Sequence, residues 1–402
     1  MGTSRRPPVR ALLLIPGGLA LLAGLDSALL LLGLSAPLTT ERLPDIHGML
    51  MVLGFVGTVI ALERAVALHR WYGYVAPALS GVAVLMLLSP APLRLGQWFL
   101  VGGTASLLML YLPLWRRQRD EAVLVQAVGA LAATGASWLW ASGVPVSALL
   151  PWLVGFVVLT IAGERLELAR IAMGTNAGTR LMAHAAALCV GVVASLLWPR
   201  WGGLIFGLAL ATLTIWLTIH DAARRTIRAT GLARYMALCM LAGYAWLLVA
   251  SAIWIVGGKV SEGSAYDAAI HAVFLGFTLS MIMAHAPVIL PAVLHRALPY
   301  RPVFLVAVAL LHGSLLLRVL LGDAYGIDGA WQLGGALNVA AVLTFIALAF
   351  WSALTPRPTG RPAAADQGTR ASTTPAATTP ADSTPTDSTP RSHGVSHLPT
   401  RT

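Results

Sequence analysis

Apolar runs of roughly twenty residues, each closed by a short stretch carrying arginine, proline or glycine, recur along the chain. About 20 helical residues cross the hydrocarbon core of a bilayer. The pattern therefore predicts twelve transmembrane helices, at about 11–34, 46–68, 74–90, 95–114, 122–142, 146–168, 181–198, 202–219, 233–256, 267–294, 302–322 and 330–354. From 355 onward Pro, Thr, Ser and Ala replace the large apolar residues, a composition that cannot repay the entropy of ordering. The expected organisation is a cytoplasmic N-terminus (1–10), a twelve-helix transmembrane domain (11–354) and a disordered cytoplasmic tail (355–402). His393 and His397 fall in that tail.

Three of the apolar runs share wording. Gly54-Phe55, Gly155-Phe156 and Gly276-Phe277 stand in the second, sixth and tenth segments, and nine residues after each glycine comes a polar residue: Glu63, Glu164 and His285. Length, apolar filling and the offset of the polar residue agree together, which reads as an internal repeat. The expected fold class is an all-α polytopic membrane protein of three four-helix repeats.

Composition sharpens the class. With 57% hydrophobic residues, 11% charged and a mean hydropathy of +0.77, the chain is excluded from the soluble domains. Its net charge of +11 is distributed asymmetrically. Arg5, Arg6 and Arg10, then Arg70, the group Arg116, Arg117 and Arg119, Arg170 with Arg180, the group Arg224, Arg225 and Arg228, and Arg296 with Arg301 fall on one set of ends. The alternate ends hold Arg42, Arg94, Arg200 and Lys259 among acids such as Asp45, Glu262, Asp267 and Asp323. The positive-inside rule assigns the first set to the cytoplasm, with both termini inside the cytoplasmic membrane. The basic charge is then accounted for by topology, and nucleic acid is not expected as a partner. Cys189 and Cys239 lie in apolar helices without the spacing of a disulfide, cluster or covalent-haem motif.

Ionisable groups inside a bilayer are costly and mark function or a satisfied pairing. His47, near the start of the second segment, and His271, near the start of the tenth, share a depth. Below His47 the residues Gly54, Thr58 and Ala61 follow helical spacing and would leave room for a flat ligand. Two opposed imidazoles beside such a wall suit a six-coordinate haem b, with Arg318 at a depth to bind its propionates. An alternative for the histidines is a helix cap and an interhelical hydrogen bond; for Arg318 it is a salt bridge to Asp26 or Asp323.

A second level, a turn or two from the arginine-rich ends, gathers Glu63, Glu164, Glu167, His184 and His285, and His312 lies in the middle of the eleventh segment. Fourteen residues separate His271 from His285, about 21 Å of helix on nearly the same face. Imidazole with carboxylate could hold copper, zinc or iron, or pass protons, so His285, His184, Glu164, Glu63 and His312 are the candidate metal ligands. Arg64 and Arg165, each next to a glutamate, are expected to form interfacial salt bridges and to snorkel. Pro287 and Pro291 are expected to kink the tenth helix and free carbonyls that need partners.

His47-Gly48-Met49-Leu50 with Gly54-Phe55, and His271-Ala272 with Met281 to His285, resemble the NnrS family of haem- and copper-containing membrane proteins associated with nitric oxide metabolism. More distantly, the plan resembles subunit I of the haem–copper oxidases and nitric oxide reductases, whose second and tenth helices carry the histidines of the low-spin haem. The resemblance covers most of the chain before the tail. It implies haem ligation by His47 and His271 and a second haem or metal site at His285. Where the oxidases place a copper-binding histidine triad on helices six and seven, this chain offers Glu164 and His184, so oxygen reduction is not expected. The expected function is a haem-binding membrane protein that handles electrons or a small diatomic such as nitric oxide. A secondary transporter with an intramembrane His/Glu site and a cofactor-free assembly protein fit the same residues.

Overall fold

A computed structural model describes residues 12–294 and 298–355; the tail expected from 355 lies almost wholly outside them. Among the described residues there is no strand, and twelve helices are long and apolar enough to cross a membrane. They are α1 (Leu14–Leu31), α2 (Arg42–Leu68), α3 (Trp71–Leu88), α4 (Leu93–Gln118), α5 (Glu121–Ala141), α6 (Val146–Met173), α7 (Ala177–Leu197), α8 (Pro199–His220), α9 (Gly231–Gly257), α10 (Gly263–Pro291), α11 (Phe304–Ala324) and α12 (Asp328–Leu354). The chain is a multi-pass membrane protein.

Each helix packs against its neighbour in the chain, and α12 returns to α1. Within this closed order α2, α6 and α10 are the inner helices: 78%, 72% and 67% of their apolar stretches are buried, against 33–56% for the other nine. Large apolar side chains such as Leu22, Met109, Val190 and Val306 stand exposed on the outer ones. Hydrocarbon outside removes the usual reason to turn a leucine inward, so what distinguishes the inner helices is close packing and polar content.

Two inner helices are not uniform. Leu50–Val56 in α2 and Ala272–Leu279 in α10 are wound as π-helix, as is Leu317–Ala324 in α11. A π-turn accommodates one residue more than an α-turn and leaves backbone groups less regularly paired. In α10 nearby side chains help: Thr278 donates to the Val273 carbonyl at 3.0 Å and Ser280 to that of Gly276 at 2.6 Å. Below them the helix continues through Pro287 and Pro291. Pro287 has no N–H for the carbonyl four residues earlier, and that carbonyl, of Met283, accepts from the Tyr235 hydroxyl of α9 at 3.1 Å.

Candidate functional site: a histidine-flanked cavity

The three π-turns adjoin a cavity of about 280 Å³. His47 and Met51 of α2, His271 and Phe274 of α10, Arg318 of α11, and Asn338 and Val339 of α12 line it, with Leu25 of α1 and Leu150 of α6. The walls are otherwise mostly aliphatic and aromatic. The structure thus brings His47, His271 and Arg318 to one space.

The wall beneath His47 differs from the expected one. Met51, Val52, Phe55 and Val56 face the cavity, while a Cβ placed on Gly54 would meet Val84 and Ala20 at 3.2 and 3.3 Å, so Gly54 faces α3 and α1. Thr58 turns towards Gly17 of α1. The physical reason is the π-turn at Leu50–Val56: with more residues per turn, positions four and eight after His47 fall beneath it in place of the seventh.

His271 is held by its own helix. Its Nδ1 lies 2.7 Å from the Asp267 carbonyl and 3.3 Å from the Asp267 carboxylate. Both partners can only accept, so Nδ1 carries the proton, and in the neutral ring Nε2 keeps its lone pair. Carbonyl or carboxylate at one ring nitrogen is how proteins orient an imidazole whose other nitrogen ligates. The ring of His47 lies near the Gly24 carbonyl, yet its buried Nδ1 completes no hydrogen bond.

Arg318 is 6% exposed. It donates from Nε and Nη2 to Asp267 at 2.7 and 2.8 Å, so neither Asp26 nor Asp323 is its partner in this fork. The Trp331 indole adds a third donor to the same carboxylate at 3.2 Å, and the guanidinium stands 5.0 Å from that ring's centroid. Asp26 instead accepts from the Leu38 amide at 3.2 Å. Close approach of α12 depends on glycine, for a Cβ on Gly335 would fall 2.5 Å from Arg318 Nη1.

At the other level the expected metal ligands are divided between separate arrangements. Arg64 lies 2.6 Å from Glu63 and 3.5 Å from each of Glu164 and Glu167, and donates to Gln126 at 3.0 Å. Arg165 donates to both oxygens of Asp221 at 2.9 and 3.0 Å, and Tyr244 donates to Asp221 at 2.8 Å. Both arginines form salt bridges as expected, but they are buried, 8% and 6% exposed, which corrects the expectation that they snorkel: carboxylates within the bundle replace the interface as their destination.

His285 meets Arg165 Nη1 through Nε2 at 3.3 Å and the Met281 carbonyl through Nδ1 at 2.8 Å. Guanidinium only donates and carbonyl only accepts, so the lone pair a metal would need is occupied. His312 is likewise used on both sides, accepting from Trp246 at 3.0 Å and meeting Ser280 at 3.3 Å. His184 packs on Trp216, which stacks against His220. Among the described residues no group of three or more His, Cys, Asp or Glu is arranged to hold a metal ion. Asp267, Asp221, Gln126 and Tyr244 are the site residues that the sequence pattern did not single out as partners; 51 and 56 residues separate Arg318 from Asp267 and Arg165 from Asp221.

The sequence model of a family described as a domain of unknown function (DUF8744) matches residues 10–354. No curated protein and no solved structure matches the chain.

Proposed function

The chain belongs to the DUF8744 family, and from its cavity we propose that it is a haem-binding protein of the cytoplasmic membrane, handling electrons or a small diatomic such as nitric oxide. Support comes from one observation above all: His47 and His271 line the same apolar cavity. The donor set fits a six-coordinate haem b. His271 is oriented through Nδ1 by Asp267, the buried Nδ1 of His47 has no partner of its own, and Arg318 lines the same cavity with Nη1 outside the fork to Asp267. His47 and His271 would be the axial ligands and Arg318 a propionate donor, while the haem would supply one-electron chemistry at iron.

The burial of α2, α6 and α10, the helices that carry the repeated words, supports the threefold plan of four-helix units and the likeness to the NnrS family and to oxidase subunit I. The arginine distribution supports both termini in the cytoplasm. Protein purified in detergent from haem-replete cells should show a Soret band that acidified acetone removes, and His47→Ala and His271→Ala should each lose it. Folded wild-type protein that carries no haem and takes none up on titration would exclude the assignment.

A further inference from the structure

Around Arg64 the charges do not balance. Glu63, Glu164 and Glu167 face this one guanidinium, and the next arginine, Arg165, is already committed to Asp221 by two hydrogen bonds. Glu63 and Glu164 approach the same nitrogen, Nη2, at 2.6 and 3.5 Å, which brings their carboxylates within reach of one bridging water. Glu164 is the least exposed of the three, its side chain at 19% against 23% and 36% for Glu63 and Glu167.

A second observation is independent of the acids. Tyr111 of α4 is 2% exposed, its hydroxyl has no hydrogen-bond partner, and Arg64, Glu164, Glu63 and Glu167 are the charges it feels. Arg64 Nε is also buried without a partner. Two buried donors beside the same carboxylates lack acceptors, the circumstance in which internal water is retained.

We propose that this cluster is a proton-binding site, in which Glu164 and Glu63 share one exchangeable proton through water held by Tyr111 and Arg64. Two carboxylates on one guanidinium in a poorly solvated place cannot both ionise cheaply, and a proton is the smallest neutralising ligand. Binding it converts one carboxylate to a carboxylic acid, with no other bond made or broken. The groups facing the pair are Tyr111 from α4, Gln126 from α5, Glu167 and Arg165 from α6, and His285 from α10 beside Glu63. Gln126 is committed in both directions, accepting from Arg64 and donating to Glu167 at 3.3 Å, so it does not supply the missing acceptor for Tyr111. The site lies in the half of the bundle away from the cavity, and its occupancy does not depend on haem.

Infrared spectroscopy of the purified full chain at neutral pH, in a detergent without carbonyl groups, reads the proton directly. A carboxylic-acid carbonyl band is expected that shifts in heavy water and is lost in Glu164→Gln or in Glu63→Gln, each of which keeps hydrogen-bonding capacity. It should persist in Glu121→Gln, a control at an exposed carboxylate. Absence of the band from wild-type protein would overturn the proposal whether or not either variant folds. So would its survival in both variants, or stabilisation by sodium over choline that Glu164→Gln abolishes, since a metal cation would then be the neutralising ligand. Each readout can be taken on haem-free protein, so its failure is distinct from failure of the haem assignment.

Discussion

Asp267 grips Arg318 through two hydrogen bonds of 2.7 and 2.8 Å, and the same aspartate holds His271 in place. The carboxylate thereby joins the orientation of an imidazole to the neutralisation of a buried cation. Asp267→Ala should strand Arg318 in an apolar setting, a loss of about 3–5 kcal/mol for breaking a buried pair from one side. Asp267→Asn, which keeps an acceptor but not the charge, should fold better than the alanine variant and, if haem is bound, retain it with a changed midpoint potential. The carbonyl bond to His271 is untouched by either change. Thermal melts and a redox titration check the two parts.

On the proposed haem assignment, His285 should be dispensable for haem binding. Its Nε2 faces Arg165 and 14 residues of α10 separate it from His271, about 21 Å along an α-helix. His285→Ala is expected to keep the full Soret absorbance of wild-type protein. Complete loss of haem from a folded, inserted variant would contradict that separation.

The Arg165–Asp221 fork ties α6 to the end of α8. The Asp221 side chain is fully buried and also receives Tyr244 and the Ala223 amide. Arg165→Ala would leave that carboxylate without its cation, costing about 3–5 kcal/mol, whereas Arg165→Lys keeps charge without the two-pronged geometry and should fall between the two. Melting temperatures of the three proteins in one detergent give the order.

A haem with both axial positions taken by histidine has no vacant coordination site, so a diatomic must first displace a ligand while electron transfer needs no displacement. On the proposed haem assignment, the ferrous protein is expected to be six-coordinate and low-spin, and purified protein with an artificial donor should not sustain oxygen consumption. Steady, cyanide-sensitive uptake of oxygen would refute this.

The helices and the two polar levels were legible in the chain because hydrocarbon imposes length and apolarity on every span, so departures stand out. His47 and His271 announced themselves as imidazoles at one depth. Pairings were not legible. Asp267 read as one acid among several near an outer boundary, and nothing in its neighbours distinguished it from Asp26 or Asp323 as the partner of Arg318; the answer depends on how α10, α11 and α12 are rotated about their axes. The same limit hid Arg165–Asp221, and it made Arg64 and Arg165 look like interfacial arginines. For His285 and His312 the residue type was visible, whereas the group already bonded to each ring nitrogen was not.

The π-turn in α2 gives the helix two phases. Upstream of Leu50 the side chains are timed to the cavity, and downstream of Val56 to the Arg64 cluster; the extra residue stored between them sets the offset. Winding the same residues as ordinary α-helix, with none deleted, would remove no ligand and no charge. Yet it would turn everything on one side by about 100° relative to the other, so that either His47 or Glu63 and Arg64 would point at the wrong neighbours. The winding between these two levels is therefore as much a determinant as the residues themselves, and deleting one residue between Leu50 and Val56, which lets ordinary α-helix run through, should leave both levels close to their present phase.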